Sequence, residues 1–533
     1  MLDILIQNGI VVDGTGAAPF RADIGVQDGH IVSIGEADRT QAKEKIDAAG
    51  MYVSPGLIDI HRHADIAVLQ PSFGKLEIAQ GITTIVNGQC GLSVTPCTQP
   101  HRKEIIHFLE PVLGGTEEDV PFSDTPDYLC RLEEQPLPIN VGTCVGNGTL
   151  RMAAKGFGAG CLSAEELERV HYHLRAALDA GALGVTMGIV YTPENCYDHA
   201  GFVKALAPMR DYSVPLVTHI RGYGDLLHRS LREVIAIAEE LGVPLHISHM
   251  MAVGRQNWGQ GLEEALGILD AARTRGLALS CDVYPYTAGS SQLIQILPPW
   301  YQEGGVDRIV ERLSDPAMRM ELTNILQKPQ TKFENLVYAS GWDSLLITTV
   351  ASQKNQRYVG KTIAQIAQIE NKTPSDCAFD LLIEEHCQVT MVIFITDEKD
   401  ILRIIKAPYS SVISDSVYPR SGLPHPRLYG SFPKVFAEYV RDRKLLSLPE
   451  AVRKMTSEPA KLYRLGDKGT LRVGGDADIA VFDLDAIGCQ ADYTAPNHLA
   501  TGMYRVIVNG KTAWDGQDFV NSDAGRLIRR QDI

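Results

Sequence analysis

A parallel α/β barrel flanked by a small β-domain is the fold this sequence predicts, on three observations. Apolar runs of strand length alternate with helical segments through the middle of the chain. Eight such runs occur, at residues 56–63, 82–86, 139–144, 182–189, 214–219, 243–249, 277–284 and 410–414. Eight strands, each followed by a helix, close into a barrel whose active site lies at the strands' C-terminal ends. Both chain ends carry instead short β-prone runs broken by Asp-Gly and Asn-Gly turns.

Taken in order, residues 1–54 hold runs such as Ile4-Leu-Ile and His30-Ile-Val-Ser-Ile34, punctuated by Asp13-Gly14 and Asp28-Gly29. The same texture returns in Thr470-Leu-Arg-Val, Ala477-Asp-Ile-Ala-Val-Phe482 and Tyr504-Arg-Val-Ile-Val-Asn-Gly510, so the two ends are expected to pair into one β-sandwich domain. Pro55 and Gly56 open the barrel. The expected division is 1–54 and 466–533 for the β-domain and 55–465 for the catalytic (β/α)8 barrel. Between strands seven and eight, residues 287–408 exceed any barrel loop and carry helical patterns such as Val306-Asp-Arg-Ile-Val-Glu-Arg-Leu313. They are expected to form an inserted lid or substrate-shaping segment.

Composition bounds the function. With 533 residues, 44% hydrophobic and 22% charged, the chain is an ordinary globular protein large enough for several domains. A net charge of -15 argues against nucleic acid and anionic membrane as partners. The N-terminus lacks a basic leader, no uncharged run reaches membrane-spanning length, and the ten cysteines show no C-x-x-C spacing. A cytoplasmic protein with reduced thiols, acting on a small molecule, is the expectation.

The first barrel run ends in His61-Arg-His63. Side chains two apart share one strand face, so both imidazoles are expected at the barrel mouth. His171-Tyr-His173 has the same spacing but follows a capping box, Ser163 to Glu166, and is expected on a solvated helix surface, where residues two apart diverge. Other strand ends supply Cys90, His219, His249 and Asp415. Thiolate, imidazole and carboxylate together suit Zn²⁺. His246, at odd spacing from His249, is expected to face the helix layer. A zinc site with an open position for water makes hydroxide available near neutral pH, and Asp415 is placed to carry the proton as general base and then acid. Metal-assisted hydrolysis is the reaction class expected.

The chain resembles the D-aminoacylases (N-acyl-D-amino-acid deacylases) of the amidohydrolase superfamily. The likeness rests on Gly56-Leu-Ile-Asp-Ile-His-Arg-His, Gly81-Ile-Thr-Thr-Ile-Val-Asn-Gly-Gln-Cys-Gly, Cys281-Asp-Val-Tyr-Pro-Tyr-Thr-Ala-Gly-Ser, His425-Pro-Arg-Leu-Tyr-Gly-Ser-Phe and Gly475-Asp-Ala-Asp-Ile-Ala-Val-Phe-Asp. The resemblance implies a tight zinc at Cys90, His219 and His249, and a weaker second site at His61, His63 and Asp415. It implies substrate contacts from Tyr191, Tyr284, Ser290 and Arg427. The fourth strand, Gly184-Val-Thr-Met-Gly, has no lysine to bridge two metals, and a cysteine bridge fits instead.

Two positions depart from the family pattern. Arg62 stands where Thr is usual, and strand alternation points it away from the mouth. Met251 stands where a carboxylate-binding lysine is usual, with Arg255 a candidate substitute. The function expected is hydrolysis of N-acyl-D-amino acids. The alternatives are a cyclic amidase of hydantoinase or dihydroorotase type, a deacylase of an amide lacking the usual carboxylate, and an inactive scaffold.

Overall fold

The computed structural model describes residues 1–36 and 41–530. Eight parallel strands form the barrel: Leu57–Asp59, Ile82–Asn87, Asn140–Thr143 with its continuation Val145–Gly146, Val185–Gly188, Leu216–His219, Leu245–Ile247, Leu279–Val283 and Ser410–Val412. The third strand breaks at Cys144. It pairs with the second strand before the break and with the fourth after it, so two ladders share one wall. The eighth strand meets the first at a seam. There Asp415 N–H donates to the His61 carbonyl at 3.0 Å, and Arg62–His63 pairs in parallel with Ser416–Val417.

The helices form as their patterning requires. In Leu227–Leu241, the buried residues Leu227, Leu231, Val234, Ala238 and Leu241 recur at helical spacing. The helix stops at Gly242, whose φ of 71° permits the left-handed cap and whose N–H bonds the Ala238 carbonyl. The capping box at Ser163 and Glu166 opens helix Ala164–Asp179, which carries His171 and His173 away from the barrel mouth. His171 Nε2 lies 2.8 Å from the Lys204 carbonyl oxygen.

Both chain ends build one eight-stranded sheet, in which Tyr52–Pro55 lies antiparallel to Ile479–Phe482. Leu2–Val11 pairs with three strands, so the sheet folds around a core of its own that includes Ile4, Ile6, Ile24, Val53, Ile479 and Ile507. Asp28-Gly29 and Asn509-Gly510 make the tight hairpin turns, with positive φ at all four residues. Asp13-Gly14 lies instead in the longer connection 12–19, and residues 470–473 are not a strand. Leu471 still packs in that core, but the positive-φ turn at Gly474 follows too soon for a ladder to form.

The segment between strands seven and eight contains a three-stranded antiparallel sheet, Ala288–Gln292, Val389–Phe394 and Leu345–Val350. The same segment holds helices Val306–Ser314, Pro316–Leu326 and Pro374–Glu384, which pack on one another. No described helix is long and apolar enough to cross a membrane, and all ten cysteines are unpaired.

Candidate metal centre

Two overlapping clusters of donor atoms occupy the barrel mouth: His61, His63, Cys90 and Asp415, then Cys90, His219 and His249. Cys90 belongs to both. Its Sγ lies 3.2 Å from His61 Nε2 and 3.4 Å from His249 Nε2. Asp415 Oδ1 stands 3.4 Å from the Nε2 atoms of both His61 and His63. Zinc–ligand bonds of about 2.0–2.3 Å hold tetrahedral donors about 3.3–3.8 Å apart. The donor separations and the donor chemistry therefore suit a zinc-like cation.

The backbone is turned to bring these groups inward. Cys90, His249 and Asp415 all have positive φ, 55°, 30° and 51°, which residues bearing a Cβ seldom adopt. Each lies just past a strand end, where leaving the ladder re-aims the side chain into the mouth. The Cys90 loop also needs room. A Cβ on Gly188, the end of the fourth strand, would sit 2.0 Å from the Cys90 carbonyl oxygen. Glu194 locks this contact by accepting the Gly188 N–H at 2.8 Å and the Asn147 amide at 2.7 Å.

Burial dominates the electrostatics. It pushes His249 down to about 4 and, with His249 beside it, His219 well below its ordinary value. It lowers His63 as well, despite Asp415. Neutral imidazoles are the form that donates a lone pair to a metal. Burial also opposes charge on His61, but Cys90 and Asp282 outweigh it and raise that imidazole. For Asp415 burial is again overcome, here by Arg427 and the surrounding histidines, which hold the carboxyl far below its usual range.

Asp282, at the seventh strand, is the residue that reasoning from the sequence missed. Its Oδ2 lies 3.3 Å from His61 Nδ1 and 2.9 Å from His246 Nε2, and its Oδ1 accepts the His249 N–H. One carboxylate thus orients one candidate ligand and anchors the backbone of another. The signal was Cys281-Asp282, at the end of a strand run. His246 is not directed at the helix layer: it is buried between Asp282 and Ser280 Oγ, 2.7 Å away. The strand ends at Ile247 and His249 has left the ladder, so alternation cannot be counted from one to the other.

Tyr191, Tyr284, Ser290 and Arg427 line one pocket together with His63, Cys90, His219, His249 and Asp415. Arg427 Nη1 pairs with Asp415 Oδ2 at 2.8 Å, and its guanidinium carbon lies 4.7 Å from the centre of the Tyr284 ring. Tyr191 Oη approaches His219 Nδ1 at 3.5 Å. Met251 lines the same pocket, its sulfur 3.9 Å from Tyr284 Oη. Arg255 does not take its place: it is exposed on the turn Arg255–Asn257 and lies outside the lining. Arg62 points away from the mouth into a buried nest, 3.0 Å from Glu77 and 3.4 Å from Asp59, beneath the Tyr418 ring.

Comparison with known proteins agrees with this architecture. The amidohydrolase family profile matches residues 380–513, and that of the urease α-subunit N-terminal domain matches residues 1–57. The chain is 32% identical to N-acyl-D-glutamate deacylase of Alcaligenes xylosoxydans xylosoxydans, over 99% of this chain and 97% of that one. It is 30% identical to D-aminoacylase of the same organism, over 99% and 98%. The crystal structure of N-acyl-D-glutamate deacylase from Bordetella bronchiseptica, complexed with zinc and a phosphonate mimic of the tetrahedral intermediate, superposes with a TM-score of 0.83. That protein is 31% identical, with 99% of each chain covered. L-Hydantoinase from Arthrobacter aurescens shares the fold at a TM-score of 0.57 and 16% identity, over 99% of this chain and 100% of that one.

Proposed function

This chain belongs to the D-aminoacylase family of the amidohydrolase superfamily, and from that premise we propose that it hydrolyses the amide bond of N-acyl-D-amino acids, releasing a carboxylate and a free D-amino acid. It is a metal-dependent amidohydrolase. The observation that carries the substrate reading is Asp415, which touches His61 and His63 on one oxygen and Arg427 on the other at the wall of the pocket.

Zn²⁺ is the ion proposed, with Cys90, His219 and His249 holding it tightly and His61, His63 and Asp415 offering a second, weaker position that shares Cys90. Bound there, it would supply a Lewis acid and water of pKa near about 7. Asp415 takes the proton from the attacking water and returns it to the amide nitrogen as the C–N bond breaks. Arg427 keeps that carboxylate ionised and, with Tyr284 and Ser290, receives the α-carboxylate. Tyr191, beside His219, is placed to steady the acyl end.

The test is hydrolysis of paired N-acetyl-D- and N-acetyl-L-amino acids by protein of measured zinc content. D-selective turnover is expected, and Asp415→Asn should lower kcat by at least about a hundredfold. Near-normal turnover by a zinc-loaded Asp415→Asn protein would remove Asp415 as the proton carrier. Preference for cyclic amides would remove the deacylase reading.

A further inference from the structure

The pocket that holds the donor cluster is lined by a second carboxylate as well, Glu334, contributed by the insertion. Its seat is built from the loop that follows the fifth strand. Tyr223 N–H donates to Oε2 at 2.6 Å, and the Gly224 amide faces the carboxylate more loosely. Glycine on both sides of Tyr223 lets the carboxylate approach the loop backbone closely. A Cβ at Gly222 would come within 3.0 Å of Oε2, and one at Gly224 within 2.7 Å of Oε1. The loop therefore grips this carboxylate through the backbone, firmly at Oε2 and weakly at Oε1.

Oε1 is buried without a hydrogen bond, and among the described residues no lysine or arginine forms an ion pair with Glu334. Burial, with no cation to oppose it, pushes the carboxyl up to about 7. A buried, unsatisfied acceptor on a pocket wall is costly to the empty protein and becomes satisfied when a ligand brings a donor. Much of the pocket lining is apolar, including Met251, Val253, Leu336, Ile393 and Ile395, with Gln295 and Thr390 among its polar members. An apolar sleeve ending in a carboxylate suits a side chain of methylenes tipped with a cationic nitrogen. Such a carboxylate disfavours an acidic side chain beside it, since no cation is paired with Glu334 among the described residues.

We propose that Glu334 is a specificity-determining residue of this enzyme, its carboxylate receiving the cationic nitrogen of a basic D-amino-acid side chain, an inference that rests on the deacylase reading above. The experiment compares kcat/KM for N-acetyl-D-lysine, N-acetyl-D-norleucine and N-acetyl-D-glutamate in metal-loaded wild type and in Glu334→Gln. Norleucine keeps the methylene stem and lacks the ammonium. The wild type should favour lysine over norleucine by at least about tenfold and turn over glutamate least. In Glu334→Gln the lysine-to-norleucine ratio should fall about tenfold or more, through KM rather than kcat. A wild-type ratio at or below one overturns the inference, and so does a ratio that survives in Glu334→Gln. The wild-type ratio alone decides if the variant does not fold. No turnover of any of the three substrates overturns the deacylase reading and this inference with it, whereas norleucine turnover without a lysine preference overturns the inference alone.

Discussion

Single residues decide whether the donor cluster is ready to bind. Asp282 is fully buried and bonded to His61, His246 and the backbone of His249, so its removal would free one candidate ligand to rotate and loosen another. Asp282→Ala should therefore weaken metal affinity about 10- to 100-fold, the usual effect of losing a carboxylate that orients a ligand. Titration of the apo-protein with a competing chelator checks this, and unchanged affinity would make Asp282 a purely structural residue. Met251 is a residue-scale change of another kind. It presents a thioether where the resemblance implies a lysine, leaving Arg427, already paired with Asp415, as the one arginine or lysine among the lining residues. Met251→Lys should lower KM for N-acetyl-D-amino acids about tenfold, a buried charge-assisted pair being worth that much, with kcat little changed. An unchanged KM would show that Arg427 alone suffices for the α-carboxylate.

At the scale of elements, the fourth strand and the Cys90 loop form one device. The strand end carries no side chain at Gly188, and the loop backbone fills that space, which puts the Cys90 thiol between both groups of histidines. Gly188→Ala would drive a methyl into the Cys90 carbonyl, and a backbone atom cannot swing aside as a flexible side chain can. The loop must shift, at a cost of about 1–3 kcal/mol, carrying Cys90 out of reach of His249. Zinc content should fall to below about one ion per chain, with a lower Tm. A fully loaded Gly188→Ala protein would show that the loop has slack. This device also marks where sequence reading stops. The eight strand runs were legible because parallel strands buried on both faces read as continuous apolar stretches, and His61 and His63 because they share one run. Past the strand ends, φ changes sign at Cys90, His249 and Asp415, and alternation no longer tells which way a side chain points. Counting alternation back from His249 therefore misplaces His246. Asp282, inside the seventh strand, and Glu334, in the insertion, escape sequence reading for another reason. Their partners lie 33 or more residues away in the chain.

Across the whole molecule, the donor cluster sits on the joint that closes the barrel. Strands one and eight share no regular ladder. Their seam includes the Asp415–His61 backbone bond, the short pairing of Arg62–His63 with Ser416–Val417, and two bonds from Ser414 to Asp59, N–H to Oδ1 at 3.1 Å and Oγ–H to Oδ2 at 2.5 Å. His61 and His63 stand on one side of that seam and Asp415 on the other. A cation bound by all three would tie the two sides together and bridge them to the second strand through Cys90. Binding to the native state alone stabilises it by about 4 kcal/mol at a thousandfold excess over Kd. Removing metal by chelation and dialysis should therefore lower Tm by several degrees, and re-addition of Zn²⁺ should restore it. Hydrogen exchange should quicken first along residues 57–63 and 410–417, while the β-domain, with its separate core, keeps its protection. Exchange that quickens evenly over both domains would mean that the seam is held by its own packing, and that the metal serves chemistry without closing the barrel.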